Sequence, residues 1–196
     1  MAASTKAHLA GSLLARLPAG AEVWLDPGTA AVHLDGEETH LRLPPPAGMR
    51  YVTPASGVCY ALDTGEHRHA FGMARLGVYT VAEYPGQTFW MGAHGEFGVT
   101  YAHVIGLEKL VRGRLPDRLS LEDAYQLLEP SLRQALVDAI TEINGSPQWE
   151  YAKVRSQIGD LSYACWDHFF RVFFDHGLLL LSRQFRIEGL ARPMLM

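Results

Sequence analysis

His94-Gly95-Glu96-Phe97-Gly98-Val99-Thr100-Tyr101 is the stretch that decides the fold class. Phe97, Val99 and Tyr101 fall on one face of an extended chain. Glu96, Gly98 and Thr100 fall on the other, the alternation of a strand half buried against an apolar layer. From Ile105 onward the period becomes helical. Ile105 to Val111 reads as a short helix. Leu121, Ala124, Tyr125, Leu128, Leu132, Ala135, Leu136, Ala139, Ile140 and Ile143 then recur at the spacing of one long helix face. Ser120, with Asp123 three residues on, reads as a capping box with Asp in place of Glu. Pro130 predicts a kink or restart, and Asn144-Gly145 a C-terminal stop. A third helix is expected from about Gln148 to Ser156. A fourth is expected from Asp160 to His176, with Trp166, Phe169, Phe170, Phe173 and Phe174 as one thick aromatic stripe and Gly177 as its cap. A last strand is expected from Leu178 to Glu188, with Leu179, Leu181, Phe185 and Ile187 on one face, ended by Pro193.

Upstream, residues 5–17 have the apolar spacing of a short amphipathic helix before Pro18. From Glu22 to His103 the chain is punctuated by Pro27-Gly28, Gly36, Pro44-Pro45-Pro46, Pro54, Gly57, Gly65 and Pro85-Gly86. The runs between these marks read as strands: Glu22–Leu25, Ala31–Leu34, His40–Leu43, Tyr51–Thr53, Val58–Leu62, His69–Phe71, Gly77–Ala82 and Thr88–Met91. Strands first, then helices, then a returning strand predict an α+β fold with an antiparallel β-rich N-terminal region and the helices on one side of the sheet. The division expected is a β-rich region over 1–73 and a strand–helices–strand module over 74–196, with any boundary near Gly72 to Gly77. One continuous domain is the alternative.

The 196 residues are 48% hydrophobic and 19% charged, enough apolar material for a core. A net charge of −4 and the absence of a Lys/Arg cluster predict no nucleic-acid partner. Arg112, Arg114 and Arg118 are diluted by Glu108 and Asp117 and read as a solvated loop. The most apolar stretch, Phe169 to Leu181, is interrupted by Arg171, Asp175, His176 and Gly177 and is too short to span a bilayer. The two cysteines, Cys59 and Cys165, lie among apolar neighbours and are expected as buried free thiols of a reducing compartment. A soluble, cytoplasmic protein without a membrane-spanning segment is therefore expected.

Ala93-His94-Gly95-Glu96-Phe97, Gly106-Leu107-Glu108-Lys109-Leu110-Val111, Leu119-Ser120-Leu121-Glu122-Asp123, Phe173-Phe174-Asp175-His176-Gly177-Leu178 and Phe185-Arg186-Ile187 through Pro193 form an ordered series. Over roughly residues 74–193 this series resembles the SPFH (band 7) domain of stomatins, prohibitins and flotillins, and within it the soluble bacterial branch of virion-core-like proteins. The chain departs from that pattern at Phe97, where Tyr is usual, and in its short loop before Ala93. The resemblance implies a non-enzymatic scaffold that oligomerises, with no catalytic residues and no cofactor.

Three functional readings follow. The first is a self-associating scaffold or adaptor, a homo-oligomer or partner of another protein. It would use the strand near Gly95–Tyr101 and the end near Phe185–Met196, with Phe97, Val99, Tyr101, Phe185, Ile187 and Leu195 as interface side chains, because edge strands invite pairing. The second is a small metal-dependent enzyme. His67 and His69 share a face of one strand, and His94 and Glu96 on a neighbouring strand would complete a ligand set suited to Zn²⁺ or Fe²⁺. The third is a monomeric protein-binding module. His33 and His40, flanking the Asp35-Gly36 turn, read as exposed hairpin histidines. Cys165, Ser156, Ser162 and Ser182 lack the setting of a nucleophile. Asp160, Asp167 and Asp175 read as a solvated helix face.

Overall fold

The computed structural model describes residues 5–6, 9, 11–36, 38–45, 47–81, 88–111, 115–144, 148–149, 155–156, 158–190 and 194–195. In chain order the strands are β1 (Thr5–Lys6), β2 (Ser12–Leu17), β3 (Glu22–Leu25), β4 (Thr29–Asp35), β5 (Glu38–Arg42), β6 (Met49–Val52), β7 (Val58–Asp63), β8 (His67–Val81), β9 (Thr88–Tyr101), β10 (Arg118–Ser120), β11 (Gln148–Trp149), β12 (Leu178–Leu180), β13 (Arg186–Leu190) and β14 (Met194–Leu195). The helices are α1 (Val104–Leu110), α2 (Leu121–Asn144) and α3 (Ile158–Asp175), with a 3-10 turn at Ser182–Gln184. The class is α+β, as expected.

Three sheets result. One has the order β10-β2-β7-β4-β5, one β1-β3-β6, and the third is built on the long antiparallel hairpin β8–β9. β9 is paired along its whole length. β8 runs down one side; β14, β13 and β12 follow one another down the other. From Ala93 to Val99 its odd-numbered residues face inward, and Phe97 and Val99 are fully buried there. Gly95 is needed on this strand, because a Cβ at that point would run into the Arg186 carbonyl and force β13 away. The expected pairs His69–Phe71 with Gly77–Ala82, and Thr88–Met91 with Gly95–Tyr101, are each one strand. Register shifts near Leu76 let β8 continue past its irregular section.

α1 is capped by His103, whose Nδ1 accepts from the Gly106 amide at 3.1 Å. The Ser120–Asp123 box forms as read: the Asp123 amide donates to Ser120 Oγ, and the Ser120 amide and hydroxyl both donate to Asp123 Oδ2. Pro130 does not divide α2, which runs unbroken to Asn144. An interior proline costs about 3 kcal/mol. Burial of Leu128, Leu132, Leu136 and Ile140 beside it supplies roughly 6 to 12 kcal/mol. The aromatic stripe of α3 is split. Phe169 and Phe173 are fully buried, whereas Trp166, Phe170 and Phe174 stack on one another along the outer row, and Phe174 is exposed.

The main core joins side chains of the N-terminal sheet (Leu14, Val32, Tyr60, Leu62) to those of β8, β9, α1, α2 and α3. A second, smaller cluster lies between the five-stranded and three-stranded sheets, with Val23, Leu25, Ala31, Cys59 and Ala61 at its centre. A cut at 73/74 would fall inside β8, and side chains from both sides of it share the main core.

Three local expectations need correction. Residues 5–17 hold two strands, not a helix. β2 is an inner strand between β10 and β7, and that long-range pairing outweighs the helical spacing of its leucines. The third helix does not start at Gln148, since β11 lies there parallel to β8; residues 155–156 of that expected helix are helical, and residues 150–154, Gly145 and Pro193 lie outside the described residues. The final strand is broken into β12, the 3-10 turn and β13. The turn after α3, with Gly177 in the left-handed region, delivers Leu178 and Leu180 to the core rather than Leu179 and Leu181.

Candidate functional site

Register settles the histidine cluster. His67 stands opposite Val99 and His69 opposite Phe97, while Glu96 stands opposite Ala70 and His94 opposite Gly72. Cross-strand partners share a face of a sheet. His67 and His69 therefore point to the buried side with Phe97 and Val99, and His94 and Glu96 point to the other. The four residues cannot close around one ion, which corrects the metal reading. Their contacts agree. His69 Nδ1 is 3.6 Å from Glu122 Oε2, and its ring packs 4.5 Å from Tyr125. His67 Nε2 is 3.5 Å from Asp63 Oδ2. On the outer side Glu96 Oε1 is 3.3 Å from Arg186 Nε. Among the described residues no group of three His, Cys, Asp or Glu is placed to hold a metal.

Five of the six expected interface side chains lie in or against the core. Phe97, Val99 and Ile187 are buried, and Tyr101 and the half-buried Phe185 pack against the same cluster. Phe185 meets Phe169 edge-on at 5.3 Å. Leu195 stands on β14 opposite Phe89. The strand read as an edge is an inner strand of its sheet, with β8 on one side of it and β13 and β12 on the other. Alternation reports which face of a strand is buried; it carries no information about which side is hydrogen-bonded.

Both thiols are buried and free. Burial pushes Cys165 and Cys59 upward, and Cys59 approaches the Tyr51 hydroxyl at 3.9 Å. Tyr51 is itself pushed up to about 12, first by desolvation and then by Cys59. Cys59 helps line an open cleft of about 540 Å³ with Leu17, Val58, Arg16 and Asp117. Arg16 Nη1 and Asp117 Oδ1 pair across it at 3.2 Å. In that cleft the Cys59 thiol, raised by burial, lies with the Arg16–Asp117 ion pair. A smaller groove of about 340 Å³ lies against α3, lined by Ser162, Tyr163, Trp166, Ser182 and Phe185.

One open sheet edge among the described residues is β5. All five of its residues are exposed, and it hydrogen-bonds only to β4, at the end of its sheet. Leu41 is 46% exposed and Leu43, just beyond the strand, 63%. Across the hairpin His40 stacks on His33 at 5.9 Å. His33 is buried and bonded to the Ser56 carbonyl, a correction to its reading as an exposed hairpin residue; His40 is exposed as read. The strand itself was legible from Asp35-Gly36 and the run His40–Leu43. Its position at a sheet edge was not.

No protein-family model matches the chain, and no curated protein matches it.

Proposed function

We propose that this chain is a non-enzymatic scaffold or adaptor that works by self-association, with an SPFH-like module over residues 74–193. The observation that carries the reading is β5, an exposed strand with one side of its backbone unpaired and two exposed leucines at hand. Such an edge is a template for another strand. The order β9, α1, α2, α3, Gly177-Leu178, β13 supports the SPFH likeness, since it follows the series of motifs quoted above. The placement of His67 and His69 on one face of the sheet and His94 and Glu96 on the other supports this reading over the metal-dependent alternative. Buried free thiols fit a reducing compartment, for which we propose the cytoplasm. No described helix is long and apolar enough to cross a membrane.

Light scattering after size exclusion, with metal analysis of the same peak, tests the proposal. The expected result is a mass that is a multiple of 21.7 kDa, without stoichiometric metal. A 21.7 kDa species at every accessible concentration sinks the self-associating reading, and a bound metal in that species returns attention to the histidines.

A further inference from the structure

We propose that β5 pairs with β5 of a second copy of this chain, antiparallel across a two-fold axis centred on His40. This rests on the self-associating reading above and names its surface, partner and register.

β5 reads Glu38-Thr39-His40-Leu41-Arg42. Pairing about His40 sets Glu38 opposite Arg42 of the second copy, and Arg42 opposite its Glu38. Thr39 stands opposite Leu41 of the second copy, and His40 opposite its own equivalent. A two-fold interface uses one patch twice, so the patch must be complementary to itself. Here each carboxylate meets a guanidinium, twice, with no residue changed.

The register is constrained as well. Faces match across the pair only if the strand slides by two residues at a time. A slide one way puts Arg42 opposite His40 and Glu38 opposite Pro44. The other way puts Glu38 opposite His40 and Arg42 opposite Gly36. Only the His40-centred register matches both charges. The same register continues the inner face. Leu41 is opposite Val32 on β4 and Thr39 opposite Leu34, so both belong to the face that packs on the main core. The second copy adds Thr39 beside Leu41 on that face. Two five-stranded sheets then become one of ten, and the two β5 edges are paired with each other.

Five residues a side make a small interface compared with the roughly 1,200–2,000 Å² of stable complexes. The dimer is therefore concentration-dependent, with a dissociation constant on the order of micromolar.

The test is charge reversal, read by sedimentation over a concentration series, with circular-dichroism melts to check each fold. Glu38→Arg places two guanidinium pairs face to face, and Arg42→Glu two carboxylate pairs. Each is expected to weaken the dimer by roughly tenfold or more. The double variant E38R/R42E restores both pairs and the dimer. Mixing the two single variants gives a mixed dimer, in which every Glu again meets an Arg, visible by native mass spectrometry. Single variants that self-associate like the parent, or a mixture that forms no mixed species, overturn this interface while the parent's self-association stands. A parent that is monomeric throughout overturns the interface and the scaffold reading together.

Discussion

Replacing Phe97 by alanine separates a core role from an interface role. The side chain is fully buried. Its ring lies 4.8 Å from that of Phe173 on α3, 6.0 Å from Tyr125 on α2, and 5.3 and 6.1 Å from His69 and Phe71 on β8. Removing it opens a cavity where a strand meets two helices. Phe→Ala at such a site costs about 3–5 kcal/mol. Unfolding entropy near 2.1 cal/mol/K per residue gives about 0.4 kcal/mol/K for a chain of this length, so Tm should fall by about 10 °C. The assay is a thermal melt by circular dichroism at one low protein concentration, because association raises Tm by mass action. A urea titration alongside should show a lower midpoint at unchanged slope. Phe174→Ala is the internal control. Phe174 follows Phe173 directly but is 44% exposed, and its loss should cost less than about 1 kcal/mol. Phe97→Leu should fall between the two, because it keeps most of the volume. A Phe97→Ala protein that melts within about 2 °C of the parent, yet associates less, would refute the core placement and restore the interface reading.

Two further outcomes follow from local geometry. Gly177→Ala should lower stability by more than the roughly 1 kcal/mol of an unfavourable left-handed residue. At φ 81° its Cβ would also strike the His103 carbonyl and crowd Leu107; the check is a melt against Gly36→Ala, which has a similar φ and nothing within 4 Å. Asp123 is held below the usual carboxylate range, mainly by the Ser120 hydroxyl and then by its amide. A depressed folded pKa means that this stabilisation is present above the unfolded value and is lost as pH falls through the folded one. The melting difference between parent and Asp123→Ala should therefore be clear at neutral pH and shrink below about pH 4. A difference that does not change with pH would refute the charged cap.

Much of the fold was legible because its signals are local. The capping pair Ser120 and Asp123 lies within one turn, so the start of α2 could be read to the residue. Alternation at Phe97 and Val99 identified a buried strand face, and Gly177 the end of α3. The histidine cluster was not legible, for a physical reason. Side chains repeat every two residues along a strand, so a one-residue change in how β8 meets β9 would have put His94 and Glu96 on the face of His67 and His69. Nothing within either strand states that register. β2 failed for a related reason: its leucines fit either period, and its state was decided by β7 and β10, far away in the chain.

Periodicity and turn chemistry act over a few residues, and they were sufficient to establish the class, the long helices and most strands. Which strand lies at an edge is a property of the assembled sheets. Backbone donors and acceptors are the same on every residue, so composition does not say whether they are already satisfied. Long-range pairing buried β9 on both sides and left β5 with one side open, and in doing so moved the candidate surface from Gly95–Tyr101 to Glu38–Arg42.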